Sequence, residues 1–303
     1  MLAERDLEQL RPRAFAIAYR MLGSVSEAED AVQEALLRLH RAEERGEEIS
    51  SPRSWLTTVV TRLALDELRS ARARREVYVG EWMPEPLVTD GEDDPAARAE
   101  MTDSLSLAFL VLLESLTPEQ RAAFLLHDVF DYPYAEVATV LDKSEEAVRQ
   151  LAVRARRQVE QRRPRFETSS ERREELADRF FAAAREGELA GLEALLADEV
   201  VLHGDGGGKA PALARALQGR TRVARTFANW MRTMKRFEEL SFRRLTLNGQ
   251  PGALTVDRDG RVLSAMALDI ADGQIQEIRS LVNPEKLGHL GEVADWRELV
   301  GRN

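Results

Sequence analysis

An arginine-rich run in the middle of the chain has residue types and spacing suited to binding a nucleic acid. Between Val140 and Arg163 the pattern predicts a short helix, a turn opened by Lys143 and Ser144, and a second helix rich in arginine. Side chains at the start of such a helix meet base edges in the major groove, and later arginines reach phosphates. The residues expected to contact DNA are Ser144, Glu145, Glu146, Arg149, Gln150, Arg154, Arg156 and Arg157. The alternative is the solvated face of an ordinary surface helix.

The residues before this run favour DNA binding because they supply helix starts in the right order. Thr117, Pro118 and Gln120 have the pattern of a capping box with proline at the first helical position. A further helix is expected from Ala135 to Leu141, and Ser144 can cap the reading helix that begins near Glu145. The residues predicted to form the inner apolar stripe of the reading helix are Val148, Leu151 and Val153.

Length and composition indicate an ordinary globular chain. The 303 residues allow two or three domains, and a hydrophobic fraction of 44% is sufficient for their cores. No apolar run approaches the roughly 20 residues of a membrane helix, and the polar N-terminus has no signal-peptide core. We therefore expect a cytoplasmic protein that does not bind membranes. The chain has no cysteine and its four histidines lack metal-ligand spacing, so no metal site, cofactor or redox chemistry is expected.

The charge of the chain bears on how it reaches DNA. A net charge of −10 and a pI of about 5.2 argue against tight binding of naked DNA by bulk attraction. Acidic residues gather before Ser50, whereas Arg69, Arg72, Arg74 and Arg75 follow it. This partition fits a protein that binds a basic partner with one face and DNA with small basic patches.

The first half of the chain is predicted to be helical. One helix is expected from Leu7 to Leu22, ended by Gly23, and another follows a cap at Ser24 or Ser26. A third begins at Ser51 and Pro52 and runs into the arginines near position 70. Residues 78–97 are rich in proline and acid, which predicts a linker. Because this linker holds Trp82 and Leu87, part of it is expected to pack on another surface.

Four segments of this half resemble regions 2 and 4 of the extracytoplasmic-function (ECF) sigma factors, group 4 of the sigma-70 family. The segments are Ser26–Leu39, Pro52–Ser70, Leu116–Arg121 and Tyr134–Ala138. The resemblance implies a helical region 2 bundle, a region 4 helix-turn-helix, and a subunit that binds core RNA polymerase. Such a subunit directs promoter-specific transcription initiation by recognising −10 and −35 elements.

The resemblance also implies which residues meet each partner. It places Asp30, Gln33 and Glu34 on the coiled coil of the polymerase β′ clamp, where an acidic face complements a basic helix. It places region 4 on the β flap, with the reading helix at the −35 element. The residues assigned to the −10 element are Arg62, Asp66, Arg69, Arg72, Arg74 and Arg75. Members of the family often carry Asn where Arg62 stands, so the base preferred at −10 stays open.

The last third of the chain predicts a second type of fold. A helix from Glu171 to Arg185, a short helix near Leu192 and a helix from Val223 to Met234 accompany five strands. Asn248-Gly249, Asp259-Gly260 and Asp272-Gly273 are hairpin signals between the last four strands. The pattern predicts an α+β cone with a curved antiparallel sheet and resembles the SnoaL-like fold.

The predicted boundaries are 1–77 for region 2, 78–100 for the linker, 101–166 for region 4, 171–290 for the SnoaL-like domain and 291–303 for a tail.

Three short motifs resemble the signature of sigma factors fused to a SnoaL-like extension. Their residues are Trp82, Pro84, Glu85 and Pro86; Asp205, Gly206, Gly207, Gly208 and Lys209; and Asn283, Pro284, Glu285, Lys286 and Leu287. The glycines allow positive φ and close approach of another chain. We expect them and Lys209 to pack against the acidic linker; the alternative is a plain flexible turn. The hypothesis is that the extension replaces a separate anti-sigma protein and holds the sigma domains compact.

Other functions remain open at this point. SnoaL-like cones include enzymes, and His203, Asp205, Asp257 and Asp269 are the residues that acid–base catalysis would use. No two of these residues have a spacing in the sequence that requires them to act as an acid–base pair, so we expect that the protein is not an enzyme. A small-molecule ligand inside the cone is a further alternative. The last is a regulator that binds duplex DNA without polymerase and carries a ligand-sensing cone.

Overall fold

The chain divides into two compact units in a computed structural model. The first contains residues 1–77 and 110–163, and the second contains residues 78–109 and 164–303. The residues described are 4–75, 78–89, 104–161, 169–234 and 240–296. In this division the described residues 78–89 and 104–109 group with the C-terminal part of the chain. The predicted domain boundaries stay a prediction. In the described residues, no helix has the length and hydropathy needed to cross a membrane.

Three long helices form the first part of the first unit: α1 (Glu4–Leu22), α2 (Val25–Glu44) and α3 (Pro52–Arg75). Gly23 follows α1 with φ of +69°, and Ser24 caps α2 by accepting the Glu27 N–H at 3.1 Å. The helices bury one apolar stripe each, for example Ile17, Ala28 and Val60, all fully buried. Removal of these stripes from water is the main stabilisation of the bundle.

Helix α4 (Leu107–Leu113) comes next in the chain, and its first three residues group with the second unit. The other helices of the first unit follow the predicted order: α5 (Pro118–Phe124), α6 (Tyr134–Leu141) and α7 (Glu145–Glu160). The Thr117 side chain accepts the Gln120 N–H, and the Gln120 side chain accepts the Thr117 N–H, so the capping box at α5 is confirmed. A five-residue π-helical segment, Leu125–Val129, continues α5. Neither this segment nor α4 was predicted.

The second unit is an α+β domain with a six-stranded sheet. Its helices are α8 (Ser170–Glu186), α9 (Leu189–Leu195) and α10 (Arg220–Met234). Its strands are β1 (Leu196–Asp205), β2 (Leu217–Gln218), β3 (Ser241–Leu247), β4 (Gln250–Val256), β5 (Val262–Ala271) and β6 (Gln274–Leu281). The strand order is β2-β1-β6-β5-β4-β3. The prediction of a wholly antiparallel sheet is wrong in one pair, since β1 and β6 run parallel. The turn signals could not show this, because they report only strands adjacent in sequence.

Both faces of this sheet are covered. The helices pack on one face, which is filled by buried side chains that include Phe180, Phe181 and Phe227. The other face carries Leu254, Ala265 and Leu281 and is covered by residues from outside the sheet, namely Met83, Leu107 and Leu287. Alternation along the strands sends successive residues to opposite faces. The segment 78–89 and the residues after β6 thus complete the core of this domain.

Candidate functional site

The reading helix α7 presents the predicted residues to solvent at its start. The Ser144 hydroxyl accepts the Ala147 N–H at 3.2 Å, and Glu145, Glu146, Arg149 and Gln150 are exposed. The predicted inner stripe is wrong at Val153, which is 39% exposed. The buried residues are Val148, Ala152, Ala155 and Val159. Their spacing of three and four keeps one helical face, whereas Val153 lies about 140° away from Val148 on a helix of 3.6 residues per turn.

The arginines of α7 do not share one environment. Arg154 and Arg157 are exposed, but Arg156 is partly buried and donates to Asp128 Oδ1 at 2.9 Å. Arg149 pairs with Glu145, and its guanidinium carbon lies 4.7 Å from the centre of the Tyr134 ring. A cation over an aromatic face is attracted to it. Tyr134 therefore orients Arg149.

The predicted acidic face of α2 is open to solvent. Asp30 and Gln33 are exposed, and Glu34 is partly exposed and bonded to Arg38 at 2.7 Å. Leu37, one turn further on, is 44% exposed.

The predicted −10 residues of α3 are bonded within the first unit. Arg62 is exposed, yet it donates to Val140 O and to Thr139 O at 3.0 Å each, at the C-terminal end of α6. Arg69 donates to Asp66 at 3.2 Å and to Glu119 at 3.0 Å. Burial alone would raise the pKa of Glu119, but the Arg69 hydrogen bond holds it below its ordinary value. The side chains of Arg72, Arg74 and Arg75 lie outside the described residues.

Two further contacts join region 2 to region 4, and the sequence did not predict them. The Tyr132 hydroxyl bonds Thr57 Oγ1 at 2.8 Å and accepts Arg13 Nε at 3.2 Å. Arg121, which is 3% exposed, donates to Met21 O at 2.6 Å and forms an ion pair with Glu114 at 2.8 Å. Burial lowers the pKa of Arg121. These bonds offset the desolvation of the guanidinium.

In the second unit, the three signature motifs meet around one buried carboxylate. Asp205, at the end of β1, is fully buried and accepts the Tyr78 hydroxyl at 2.5 Å and the Met83 N–H at 2.9 Å. Lys286 Nζ donates to the same carboxylate at 2.7 Å and to Met83 O at 2.5 Å. The lysine also lies 4.4 Å from the Trp82 ring centre. Burial, then the bond to Asp205, raises the pKa of Tyr78.

The glycine loop lies beside the same residues. A Cβ on Gly207 would approach Asn283 Nδ2 to 2.4 Å and Tyr78 Oη to 3.0 Å, and φ at Gly207 is +57°. Glycine is therefore required at position 207 by both the space available and the backbone conformation.

Lys209 differs from the expectation, because it pairs with Glu285 rather than with the linker. The cation that holds the linker is Lys286, which lies five residues past the end of β6 and contacts Met83 and Trp82.

The four residues considered for acid–base chemistry each have a structural partner. Asp257 accepts two backbone N–H groups and Arg261 in the β4–β5 turn. Asp269 is bonded to Arg279 at 3.0 Å. His203 Nδ1 lies 2.7 Å from Glu81 Oε1, and its Nε2 lies 3.5 Å from Glu277. Burial lowers the pKa of His203, but the bonds to Glu277 and Glu81 outweigh it and raise the pKa overall.

Comparisons with known proteins agree with this arrangement. The family models for Sigma-70 region 2 and Sigma-70 region 4 match residues 7–74 and 106–159. The ECF RNA polymerase sigma factor SigJ of Mycobacterium tuberculosis is 41% identical over 293 residues, covering 93% of this chain and 92% of SigJ. The probable ECF sigma factor SigI of the same species is 33% identical, covering 90% and 91%.

The relationship holds in three dimensions. The crystal structure of Mycobacterium tuberculosis SigJ superposes with a TM-score of 0.73 and 36% identity, covering 94% of this chain and 98% of that one. The match includes the α+β domain as well as the two helical regions. The chain therefore belongs to the extracytoplasmic-function sigma factors, the polymerase subunits that direct transcription initiation to specific promoters.

Proposed function

We propose that the exposed face of α2, formed by Asp30, Gln33 and Glu34, docks on the β′ clamp of core polymerase in the cytoplasm, and that region 4 binds the β flap. Exposure of these carboxylates and of Leu37 supports a contact that combines charge with apolar burial. In the same proposal, α3 captures the −10 element, and the start of α7 reads the −35 element.

The first unit in this structure is a closed state of the sigma factor. The single observation that carries this step is the bonding of Arg62 to the carbonyls of Thr139 and Val140. Arg69 is likewise held by Glu119. Side chains assigned to promoter DNA are thus bonded to region 4. They must exchange these partners for DNA when the holoenzyme forms.

The α+β domain favours this closed state through the connection between α3 and α4. Both described ends of that connection belong to the second unit. Met83 in residues 78–89 and Leu107 in residues 104–109 are buried against the sheet. A connection held at both ends has fewer conformations available than a free one of the same length, so separating its ends costs more free energy. The extension modulates the sigma domains in this way, in place of a separate anti-sigma protein. The aromatic filling of its helix-covered face supports a structural role over a ligand sensor.

The test weakens the bonds between regions 2 and 4 and leaves the residues assigned to DNA intact. Glu119→Gln combined with Tyr132→Phe removes the charge that Arg69 meets on region 4 and the hydroxyl shared by Thr57 and Arg13. Each loss is worth about 1 kcal/mol or less. The matched control is Glu136→Gln, an exposed acid on α6. Run-off transcription uses limiting full-length protein, core polymerase and a promoter that the wild-type holoenzyme selects from a random library.

We expect the double variant to give about three- to tenfold more transcript than wild type at limiting concentration. The closed state is less stable in this variant, so it competes less strongly with polymerase binding. The control variant matches wild type. Equal transcript from the double variant and the control, with equal affinity for core polymerase, would contradict the closed-state proposal. Failure of wild type to form a holoenzyme would contradict the polymerase contacts as well.

A further inference from the structure

One helix of the α+β domain has an unusual charge distribution. Helix α10 contains four arginines and no aspartate or glutamate, in a chain whose net charge is −10. Arg220, at its first position, bonds Leu196 O at 2.9 Å and pairs with Asp198 at 3.0 Å. The other three, Arg222, Arg225 and Arg232, are exposed. Among the described residues, none of these three forms an ion pair.

The three arginines form one stripe, which we call the α10 stripe. On a helix of 3.6 residues per turn they fall within an arc of about 80° and extend over about 15 Å. The buried residues of α10, centred on Phe227 and Met231, lie on the opposite side of the helix. The stripe therefore faces away from the domain core, and its charges are free to meet a partner.

The other residues on this side of α10 are neutral hydrogen-bonding groups. Thr221, Asn229 and Thr233 are all exposed. Arg232 donates to Asn229 Oδ1, which orients its guanidinium along the stripe. Arginine, threonine and asparagine are among the side chains that contact the phosphate backbone of DNA, and arginine forks match phosphate oxygens in pairs.

Helix α8 of the same domain shows that this distribution is not a general property of its surface. Its exposed arginines, Arg172, Arg179 and Arg185, alternate with exposed acids such as Glu171 and Asp178. A solvated helix typically mixes charges in this manner. The α10 stripe lacks such compensation and fits an anionic partner.

We infer that the α10 stripe binds the phosphate backbone of promoter duplex DNA, so that the α+β domain contributes a sequence-independent DNA contact of its own. This inference rests on promoter binding by the sigma regions and adds a third contact to theirs. Duplex DNA carries one charge per about 1.7 Å of axis, so a 15 Å stripe can reach several phosphates. An acidic protein surface is the competing partner, and the experiment separates the two.

The experiment measures the salt dependence of holoenzyme binding to a promoter selected by the wild-type holoenzyme. The variant is Arg222→Gln, Arg225→Gln and Arg232→Gln together. The control is Arg172→Gln, Arg179→Gln and Arg185→Gln on α8, which changes the net charge equally. Each lost phosphate contact lowers the slope of log K against log salt by about 0.9. We expect the α10 variant to lose about 2 to 3 units of slope and the control less than about 0.5.

An unchanged slope in the α10 variant overturns the inference. An equal loss of slope in the α10 variant and the α8 control also overturns it, because the loss would then follow from the net charge of the protein alone. A second measurement uses a photoreactive benzoylphenylalanine in place of Arg225 in otherwise wild-type holoenzyme. Crosslinking to promoter DNA is the expected result, whereas crosslinking only to a polymerase subunit overturns the inference in favour of a protein partner. Both failures leave the sigma function standing if the holoenzyme still initiates transcription.

Discussion

Leu87 and Leu105, which lie in different segments of the connection between α3 and α4, are bonded by one side chain. Asn248 Oδ1 accepts the Leu87 N–H at 2.8 Å, and Asn248 Nδ2 donates to Leu105 O at 2.9 Å. Asn248 is fully buried and has φ of +52° in the β3–β4 hairpin. The hairpin turn therefore acts as a clamp on both segments of the connection.

Replacement of Asn248 separates its role in the turn from its role in the clamp. Asn248→Gly tolerates the positive φ and removes both bonds, so hydrogen exchange at the Leu87 amide is expected to accelerate by about tenfold or more. The matched control is Asp272→Gly, since Asp272 is an exposed residue with the same φ of +52° in the β5–β6 hairpin. It should leave exchange at Leu87 nearly unchanged. Equal protection of Leu87 in wild type and Asn248→Gly would show that the clamp contributes nothing.

The orientation of Arg149 by Tyr134 leads to a prediction about promoter recognition. The Tyr134 ring also stacks on His127, with ring centres 3.7 Å apart, which keeps the ring in place below the guanidinium. Tyr134→Leu should lower discrimination against a changed −35 base by about 1 kcal/mol, roughly fivefold. Tyr134→Phe keeps the aromatic face and serves as the control. The measurement is competition binding of holoenzyme to promoters that differ at one −35 position.

The salt dependence of the Tyr134 variants provides a second readout. Since Tyr134 acts on a base-reading side chain, the slope of affinity against salt should stay at the wild-type value. A fall in slope, with discrimination preserved, would mean that Arg149 contacts phosphate instead.

Local signals in the sequence predicted the helices and hairpins well because their causes lie within a few residues. Ser24, Thr117 and Ser144 each bond an amide three residues ahead, and Asn248 with Gly249 forms the predicted turn. The bonds of Arg62 to Thr139, of Arg121 to Met21 and of Asn248 to Leu87 could not be predicted in this way. They join residues 77 to 161 positions apart in the chain, and only the fold brings these residues together.

The signature motifs illustrate the same limit. The sequence predicted that the glycine loop packs against the linker, but it assigned the linker contact to Lys209 and did not place the Asn283–Leu287 segment there. Each lysine stands in a motif that also holds one acidic residue, Asp205 for Lys209 and Glu285 for Lys286, so pattern alone does not distinguish them. Burial does: the Lys286 side chain is 9% exposed and that of Lys209 is 48% exposed.

Removal of the Lys286 charge should loosen the linker. Lys286→Met leaves the Asp205 carboxylate buried without its cation, a loss of about 3 to 5 kcal/mol, and exchange at the Met83 amide should accelerate strongly. The control is Lys209→Met, whose exposed pair with Glu285 is worth about 1 kcal/mol at most. If the Met83 amide is equally protected in both variants, Lys286 does not anchor the linker.

The attachment of Glu81 to His203 should depend on pH. The groups that face this histidine network are Glu81 from the linker, Glu277 and Arg279 from β6, and Asp269 from β5. The pKa of His203 is raised above its ordinary value of about 6.5. A raised pKa means that the folded state binds the proton more tightly, so the added stability is fully present below about pH 6.5. It is lost as the pH rises through the folded value.

We therefore expect the linker of the wild-type protein to become easier to detach as the pH rises above about 6.5. Hydrogen exchange at residues 78–89, corrected for the intrinsic pH dependence of exchange, measures this change. His203→Gln keeps a side chain that can donate to Glu81 and cannot titrate, so its corrected exchange should be flat over the same rise in pH. An identical pH profile in wild type and variant would exclude His203 as the titrating group.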